Sequence, residues 1–275
     1  MERRPFDMRP SRVLKKLRAG EVAYATKINL ADPRVVEIAC MVSGMDCVWA
    51  DMEHVPNDWS TIERQIAMAK AYDVDMMIRV SRGAYSELIK PLELDAAGIL
   101  VPHVMNADDA RQIAHLTKFH PIGRRPIDGG NADGKYTNLG MADYMAQANE
   151  QRFNMLQIED PEPLDDLEAI IALPGVDAVF FGPGDFSQGI GAPGEWNHPL
   201  IVETRKRIAD LAIKHGKIAA TVGGLGNLEE LVGMGYRFIS IGADVIALND
   251  YYNHFFNELS GKQEALNKSI YGGKA

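Results

Sequence analysis

Two acidic residues, Glu159 and Asp185, each follow an apolar, strand-like run, at 153–158 and 178–181. They lie about one strand–helix repeat apart, so they are predicted to end neighbouring strands. Carboxylates that close repel each other, and one pKa rises unless a cation lies between them. Hard oxygen ligands of this kind suit Mg²⁺ or Mn²⁺. The spacing favours a divalent metal site, with a metal-free general acid/base pair and simple helix capping as the alternatives.

A histidine, an arginine and a lysine stand at other predicted strand ends. His54 comes three residues after Asp51, and a neighbouring acid could hold one ring nitrogen while the other acts as a base near neutral pH. Arg79 ends an apolar run and must meet an anion there, either a strand-end carboxylate or a substrate carboxylate or enolate. Lys27 is the candidate for a Schiff-base lysine, the feature of a rival, metal-free aldolase mechanism.

Eight short apolar runs alternate with segments of helical periodicity. The predicted strands are 22–28, 46–50, 75–80, 98–101, 153–158, 178–181, 218–222 and 238–241. The predicted helices are 11–18, 33–41, 58–71, 84–94, 107–118, 164–172, 199–215, 227–234 and 244–259. This order predicts one α/β domain over residues 1–275, a (β/α)8 TIM barrel, whose site lies at the C-terminal ends of the strands.

Three segments are predicted to lie outside the repeat. Residues 1–20 form an N-terminal extension with a short helix, and residues 260–275 form a tail. Residues 119–139 are rich in glycine and proline and are predicted to be a long loop over the site. The aromatic residues of the last helix are too dense for one face, so part of that helix is predicted to pack on a neighbouring subunit; they are Tyr251, Tyr252, Phe255 and Phe256.

Composition excludes several functional classes. The 275 residues carry a net charge of -9, with a pI near 5.3, which argues against a protein that coats nucleic acid,. No run approaches the roughly 20 apolar residues of a membrane span, and no apolar segment follows the basic N-terminus as in a secretory signal. Cys40 and Cys47 are predicted to be reduced, buried thiols of a cytoplasmic protein,.

Five motifs in order resemble the HpcH/HpaI aldolase family, the metal-dependent class II pyruvate aldolases, over roughly residues 20 to 256. They are Asp51-Met52-Glu53-His54, Arg79-Val80, Leu94-Asp95-Ala96-Ala97-Gly98 before Val101-Pro102, Gln157-Ile158-Glu159 and Gly182-Pro183-Gly184-Asp185. The resemblance implies a barrel that assembles as a homo-oligomer, often a hexamer. It implies a lyase that cleaves or forms 4-hydroxy-2-oxo acids through a metal-bound enolate, from pyruvate or a close 2-oxo acid and an aldehyde.

The resemblance also implies roles for the residues at the strand ends. Glu159 and Asp185 would bind the divalent cation, which is Mg²⁺, Mn²⁺ or Co²⁺. Arg79 would stabilise the pyruvate enolate, and His54, oriented by Asp51, would transfer the proton. The metal would act as a Lewis acid on the 2-oxo acid, an effect worth several kcal/mol in such sites.

Substrate-binding and interface residues follow from the same motifs. Gln157 would lie beside the site, and the backbone at Gly182 and Gly184 would face the pyruvate carboxylate. Arg125 corresponds to an arginine that meets the aldehyde. Asp95 corresponds to an acidic residue associated with the subunit interface near the base of the barrel.

The chain departs from the family pattern at Asp160, where a small hydroxyl residue is usual, at Pro126, where glycine is usual, and at His103, where an apolar residue is common. His103 is interpreted as a packing or rim residue. The departures concern the aldehyde side, so they bear on specificity more than on the metal. Other functions compatible with the pattern are 2-oxo acid decarboxylation or another C–C cleavage on the same site, and a non-catalytic barrel that binds a 2-oxo acid.

Overall fold

The computed structural model describes residues 7–260. Eight parallel strands close into one barrel in chain order, which confirms the predicted TIM barrel,. The strands are β1 Ala23–Ile28, β2 Cys47–Asp51, β3 Asp75–Arg79, β4 Gly98–Val101, β5 Phe153–Ile158, β6 Ala178–Phe181, β7 Ile218–Gly223 and β8 Tyr236–Ala243. We call the C-terminal ends of these strands the mouth of the barrel and their N-terminal ends the base.

Most of the helices surround the barrel and return the chain from the mouth to the base. They are α1 Arg12–Arg18, α2 Pro33–Cys40, α3 Trp59–Ala71, α4 Tyr85–Glu93, α5 Ala107–Thr117, α6 Met141–Gln151, α7 Leu167–Ala172, α8 Pro183–Gly189, α9 Pro199–Lys214, α10 Leu228–Met234 and α11 Asp244–Ser260. Capping side chains fix where several begin: Asp32 accepts the N–H of Arg34 before α2, and Asn106 accepts that of Asp109 before α5,.

Helix α1 closes the base of the barrel. Its apolar residues Val13, Leu14 and Leu17 pack into the barrel interior, in one cluster with side chains such as Trp49 and Phe153. Around them, Asp46 at the start of β2 lies within 3.1 Å of Arg12 and 2.8 Å of Lys16. The short N-terminal helix is therefore a plug that combines apolar burial with ion pairs at its rim.

The long loop at 119–139 lies at the base, so the prediction that it covers the mouth of its own barrel is wrong. Within it, Asp133 donates its N–H to Glu93 O at the end of α4, at 3.2 Å, and the Nζ of Lys135 lies 2.9 Å from Asp95. The reason is topological. Helix α5 carries the chain from the mouth back to the base, and the loop begins where that helix ends.

The aromatic residues of α11 are exposed on the single chain. The exposed fraction is 59% for Tyr251, 56% for Tyr252, 45% for Phe255 and 67% for Phe256. Their packing on a neighbouring subunit therefore stays a prediction. The predicted tail lies outside the described residues except for its first, Ser260. Among residues 7–260, none of the helices combines the length and the hydropathy needed to cross a bilayer.

Both cysteines lie in the core as free thiols, as predicted. Cys40 is 7% exposed near the end of α2, and Cys47 is fully buried at the start of β2. Burial raises the pKa of Cys40 to about 11 and that of Cys47 well above its ordinary value. Both side chains thus act as small apolar groups of the core.

Candidate active site

Arg79 and Asp51 end the neighbouring strands β3 and β2 and lie in register. Arg79 donates from Nε to Asp51 Oδ1 at 2.9 Å and from Nη2 to Oδ2 at 2.5 Å. Lys27 Nζ, from β1, lies 2.7 Å from the same Oδ2. Burial alone would raise the pKa of Asp51, but the two cations outweigh it and lower that pKa,. Of the two partners expected for Arg79, the structure shows the strand-end carboxylate.

Beneath these charges lies the indole ring of Trp49. Lys27 Nζ is 5.1 Å and the Arg79 guanidinium carbon 5.3 Å from the ring centre, within the range of cation–π attraction. The indole N–H donates to Ser240 Oγ at 2.9 Å, which fixes the ring. The amine of Lys27 is thus held in an ion pair, whereas a Schiff base requires a free, neutral amine. This arrangement disfavours the metal-free rival.

Glu159 follows β5 and is 1% exposed. Its Oε1 accepts the backbone N–H of His103 at 2.9 Å, and its Oε2 accepts a hydrogen bond from the amide of Gln157. Burial raises the pKa of Glu159 to about 7, and the charges of Asp185 and Glu53 add to that rise,. Asp185, in the first turn of α8, is exposed to solvent. The fold therefore brings the two predicted metal ligands close enough for their charges to interact.

Position 182 requires a glycine, because a side chain there would collide with Glu159 and Gln157. A Cβ on Gly182 would lie 2.8 Å from the Cβ of Glu159 and 2.9 Å from the amide nitrogen of Gln157. At Gly184 a Cβ would meet nothing within 4 Å, so the backbone there borders open space. Gln157 Oε1 is buried and has no hydrogen-bond partner among residues 7–260. The mouth therefore contains an acceptor without a partner beside Glu159, as expected where a ligand completes the site.

These donors fit a hard divalent cation. Among residues 7–260, no cluster of three or more His, Cys, Asp or Glu side chains has the geometry of a metal site. A cation held by Glu159 and Asp185 would thus take its remaining oxygen ligands from water or substrate, as Mg²⁺ commonly does. Burial is the main cause of the raised pKa of Glu159, and the negative charges of Asp185 and Glu53 add to it; a bound cation would offset both effects,.

Glu53, which the sequence offered beside Asp51 as a neighbouring acid for His54, contacts several other groups of the mouth. Its Oε2 lies 3.2 Å from Arg79 Nε, and its Oε1 lies 3.3 Å from His103 Nε2. The expectation that the Asp51 side chain orients the His54 imidazole is wrong. From His54, Asp51 accepts a hydrogen bond of the backbone N–H alone, at 3.4 Å. The imidazole of His54 instead lies 3.6 Å from Glu53 Oε2. The reason is that Arg79 and Lys27 already occupy the carboxylate of Asp51.

Two of the three departures from the family pattern meet in space. His103, just past β4, brings Nδ1 to 2.8 Å from Asp160 Oδ2. Partial burial disfavours the charged ring, but the hydrogen bond to Asp160 and the charges of Glu159 and Glu53 outweigh it and raise the pKa of His103. Sequence reasoning missed this pairing because the two residues are 57 positions apart and lie after different strands.

Two predicted residues lie at the base instead of the mouth. Arg125 is buried, with Nη2 2.8 Å from Asp133 Oδ2 and 3.2 Å from the hydroxyl of Tyr144. Its predicted contact with an aldehyde in its own barrel is therefore wrong. Asp95 is also buried at the base, in ion pairs with Lys70, Lys135 and Arg152. The three cations overcome the effect of burial and lower the pKa of Asp95 to about 2, and its role at an interface stays a prediction.

Comparison with known proteins gives matches along most of the chain. A family model described as HpcH/HpaI aldolase/citrate lyase matches residues 28–250. A hydroxypyruvate/pyruvate aldolase of Roseobacter denitrificans is 34% identical over 85% of this chain and 91% of that protein. A 2-keto-3-deoxy-L-rhamnonate aldolase of Shigella sonnei is 30% identical over 86% of this chain and 88% of that protein. The crystal structure of an HpcH/HpaI aldolase from Desulfitobacterium hafniense has a TM-score of 0.84 at 27% identity, and the match covers 92% of this chain and 98% of that one.

Proposed function

Because the chain belongs to the HpcH/HpaI aldolase/citrate lyase family, we propose that it is a metal-dependent carbon–carbon lyase. It cleaves 4-hydroxy-2-oxo acids into a 2-oxo acid and an aldehyde, and it catalyses the reverse condensation. Relatives named as aldolases of hydroxypyruvate, pyruvate and 2-keto-3-deoxy-L-rhamnonate support this activity. They favour pyruvate or hydroxypyruvate as the 2-oxo acid.

One observation carries this function: a buried carboxylate and a buried guanidinium face one mouth. Glu159 is close enough to both Arg79 and the exposed Asp185 for their charges to interact. A 2-oxo acid is an anion that becomes an enolate when the C–C bond breaks. The reaction therefore needs a fixed cation beside that oxygen, and the mouth supplies one in a largely water-excluded position.

Glu159 and Asp185 would hold the divalent cation, and Mg²⁺ and Mn²⁺ suit these ligands best. When bound, such an ion polarises the ketone and stabilises negative charge on its oxygen. The protein contributes the position of the ligands. Hydrogen bonds from His103 and Gln157 fix the carboxylate of Glu159, and Gly182 leaves it room.

Arg79 binds and stabilises the developing enolate. Two of its nitrogens, Nε and Nη2, are held by Asp51. Its Nη1 is not used in these two bonds, and it is the nitrogen that would donate to a substrate oxygen. His54 moves the proton of the substrate hydroxyl. Its imidazole is 58% exposed beside Glu53, so a substrate in the mouth can reach it,.

Metal removal tests the proposal. Cleavage of a 4-hydroxy-2-oxo acid is expected to stop with EDTA and to return with Mg²⁺, Mn²⁺ or Co²⁺. Glu159→Gln is expected to lower kcat at least 100-fold with the fold retained by circular dichroism, because a ligand is lost. Glu168→Gln, an exposed acid paired with Lys214, is the matched control and should retain wild-type activity. Full activity of Glu159→Gln would contradict the metal assignment.

Two further experiments separate the rivals. Inactivation by borohydride in the presence of pyruvate would favour Lys27 as a Schiff-base residue instead of a metal site. Loss of deuterium from methyl-labelled pyruvate reports enolisation, which a barrel that only binds a 2-oxo acid does not catalyse. Metal-dependent exchange without borohydride inactivation is the expected result.

A further inference from the structure

The proposed metal and enolate chemistry uses the backbone of His103 but leaves its side chain and Asp160 without a function. His103 Nδ1 lies 2.8 Å from Asp160 Oδ2, and Nε2 lies 3.3 Å from Glu53 Oε1. Glu53 in turn lies 3.2 Å from Arg79 Nε. The three side chains thus form a connected row, Asp160–His103–Glu53, that ends next to the arginine assigned to the enolate.

His103 is fixed at two points. Its backbone has a φ of 49°, in the left-handed region, and its N–H donates to Glu159 Oε1 at 2.9 Å. A left-handed conformation outside glycine costs about 1–2 kcal/mol, so the surrounding contacts must maintain it. Asp160 fixes the ring through Nδ1. With 38% of the side chain exposed, a substrate in the mouth can reach the imidazole.

The two contacts of the ring differ in length. The contact with Asp160, at 2.8 Å, is that of a good hydrogen bond, whereas the 3.3 Å between His103 Nε2 and Glu53 Oε1 is long for a charged pair,. A hydroxyl group is both donor and acceptor, so it can accept from Nε2–H and donate to the carboxylate. A methyl group in the same place can form neither hydrogen bond and would only displace water from these two polar atoms.

We propose that His103 Nε2 and Glu53 Oε1 bind a hydroxyl group of the substrate, and that Asp160 is the positioning residue for the imidazole. This inference rests on the proposed aldolase function and adds to it the residues that select hydroxylated substrates. The hydroxyl belongs either to the aldehyde, on the carbon next to the carbonyl, or to C3 of the 2-oxo acid.

Isosteric substrate pairs distinguish these two sources. Glycolaldehyde and propionaldehyde, each with pyruvate, differ by a hydroxyl in place of a methyl group on the aldehyde. Hydroxypyruvate and 2-oxobutyrate, each with acetaldehyde, differ in the same way on the 2-oxo acid. In one pair, the wild-type enzyme is expected to prefer the hydroxylated member at least tenfold in kcat/KM. That pair identifies the source.

His103→Leu is expected to reduce this preference at least tenfold, measured as the ratio of kcat/KM between the two members of the pair. Asp160→Asn is expected to reduce the preference partially, because the imidazole loses its hydrogen bond to a charged carboxylate. His215→Leu removes a histidine paired with Glu168 at 3.0 Å near the base, and it should leave the preference unchanged. Thermal unfolding checks that each variant is folded, and His103→Gln replaces the leucine variant if that one is not.

Equal rates within each pair for the wild type, or an unchanged preference in His103→Leu, would overturn the inference. A wild type without aldol turnover in Mg²⁺, Mn²⁺ or Co²⁺ would instead contradict the proposed function. Calorimetry with Mn²⁺ then tests the inference without turnover. Either glycolaldehyde should bind at least tenfold more tightly than propionaldehyde, or hydroxypyruvate at least tenfold more tightly than 2-oxobutyrate. Equal affinity within both pairs would overturn it.

Discussion

Arg79 has little freedom to move at the barrel mouth. Asp51 accepts two of its N–H groups, Glu53 lies beside Nε, and Trp49 lies beneath the guanidinium plane. An arginine that is fixed before the substrate arrives loses little entropy on binding it. The guanidinium thus has a defined direction, which is the property that charge stabilisation of an enolate requires.

Substitution of Asp51 tests this arrangement. Asp51→Asn leaves Arg79 and Lys27 as buried cations without their shared counter-charge, and removal of one partner from a buried ion pair costs about 3–5 kcal/mol. We expect a loss of that order in the free energy of unfolding, measured with urea, and a fall of at least 100-fold in kcat. Asp32→Asn, at an exposed ion pair, is the control and should cost about 1 kcal/mol or less,. Equal effects would contradict the role of Asp51.

The pKa of Glu159 predicts how metal binding depends on pH. Because that pKa is raised to about 7, a proton competes with the cation below pH 7,. The affinity for Mn²⁺ is expected to be constant above about pH 8 and to fall toward tenfold per pH unit below 7, as measured by calorimetry. In the metal-free protein, the contribution of Glu159 to the free energy of unfolding depends on pH in the opposite direction. That contribution decreases as the pH rises from about 4.5 to 7, because the folded state holds the proton more tightly than the unfolded state,. A flat affinity between pH 6 and 8 would contradict this assignment.

At the scale of elements, apolar patterning predicted the barrel well because buried strands leave a clear signal. The bounds of β4, β5 and β6 match the sequence prediction at every residue, since each is a short, fully buried apolar run. Helices α6 and α8 were missed. Helix α6 buries only Tyr144 and Ala148, and α8 contains two glycines, so neither shows a long apolar face.

Contacts between elements were the less predictable part. The positions of the strand ends predicted which residues lie at the mouth. They did not predict the Arg79–Asp51 and His103–Asp160 pairs, because those contacts depend on the register of neighbouring strands. The loop at 119–139 was placed at the wrong end because its composition says nothing about the direction of the preceding helix. Arg125 lies in this loop, so its predicted position was wrong for the same reason.

Helix α1 allows a test at this scale. Leu14→Ala removes a side chain that packs inside the base of the barrel, and such truncations cost about 2–5 kcal/mol,. We expect a loss at the lower end of that range in urea unfolding, with KM unchanged because the mouth is at the opposite end. Ile38→Ala, at a position 67% exposed on α2, should change stability by less than about 0.5 kcal/mol,. A changed KM in Leu14→Ala would show that the plug and the mouth are coupled.

The whole molecule has two ends with different electrostatics. At the base, Asp46, Asp75 and Asp95 are each paired with arginine or lysine. At the mouth, acids outnumber the fixed cations, with Asp185 exposed beside the buried Glu159. The base is therefore charge-balanced and closed, whereas the mouth keeps a local negative field that attracts a divalent cation.

The exposed aromatic residues of α11 bear on assembly. An exposed apolar surface of this kind often marks an interaction site, so we predict that it packs against a second copy of the chain,. Phe256→Asp is expected to lower the oligomeric state in analytical ultracentrifugation, whereas Lys214→Asp on α9 should not. A wild-type protein that sediments as a monomer, or an unchanged assembly in Phe256→Asp, would contradict this prediction.

The first described residue, Asp7, accepts a hydrogen bond from Gln147 of α6 at 3.0 Å, on the side of the barrel away from the catalytic groups. A peptide tag or a linker to a solid support, attached ahead of that point, would leave the mouth turned toward the reaction medium. Immobilisation through the N-terminal side is therefore the geometry best suited to keep this protein in use as a reusable catalyst.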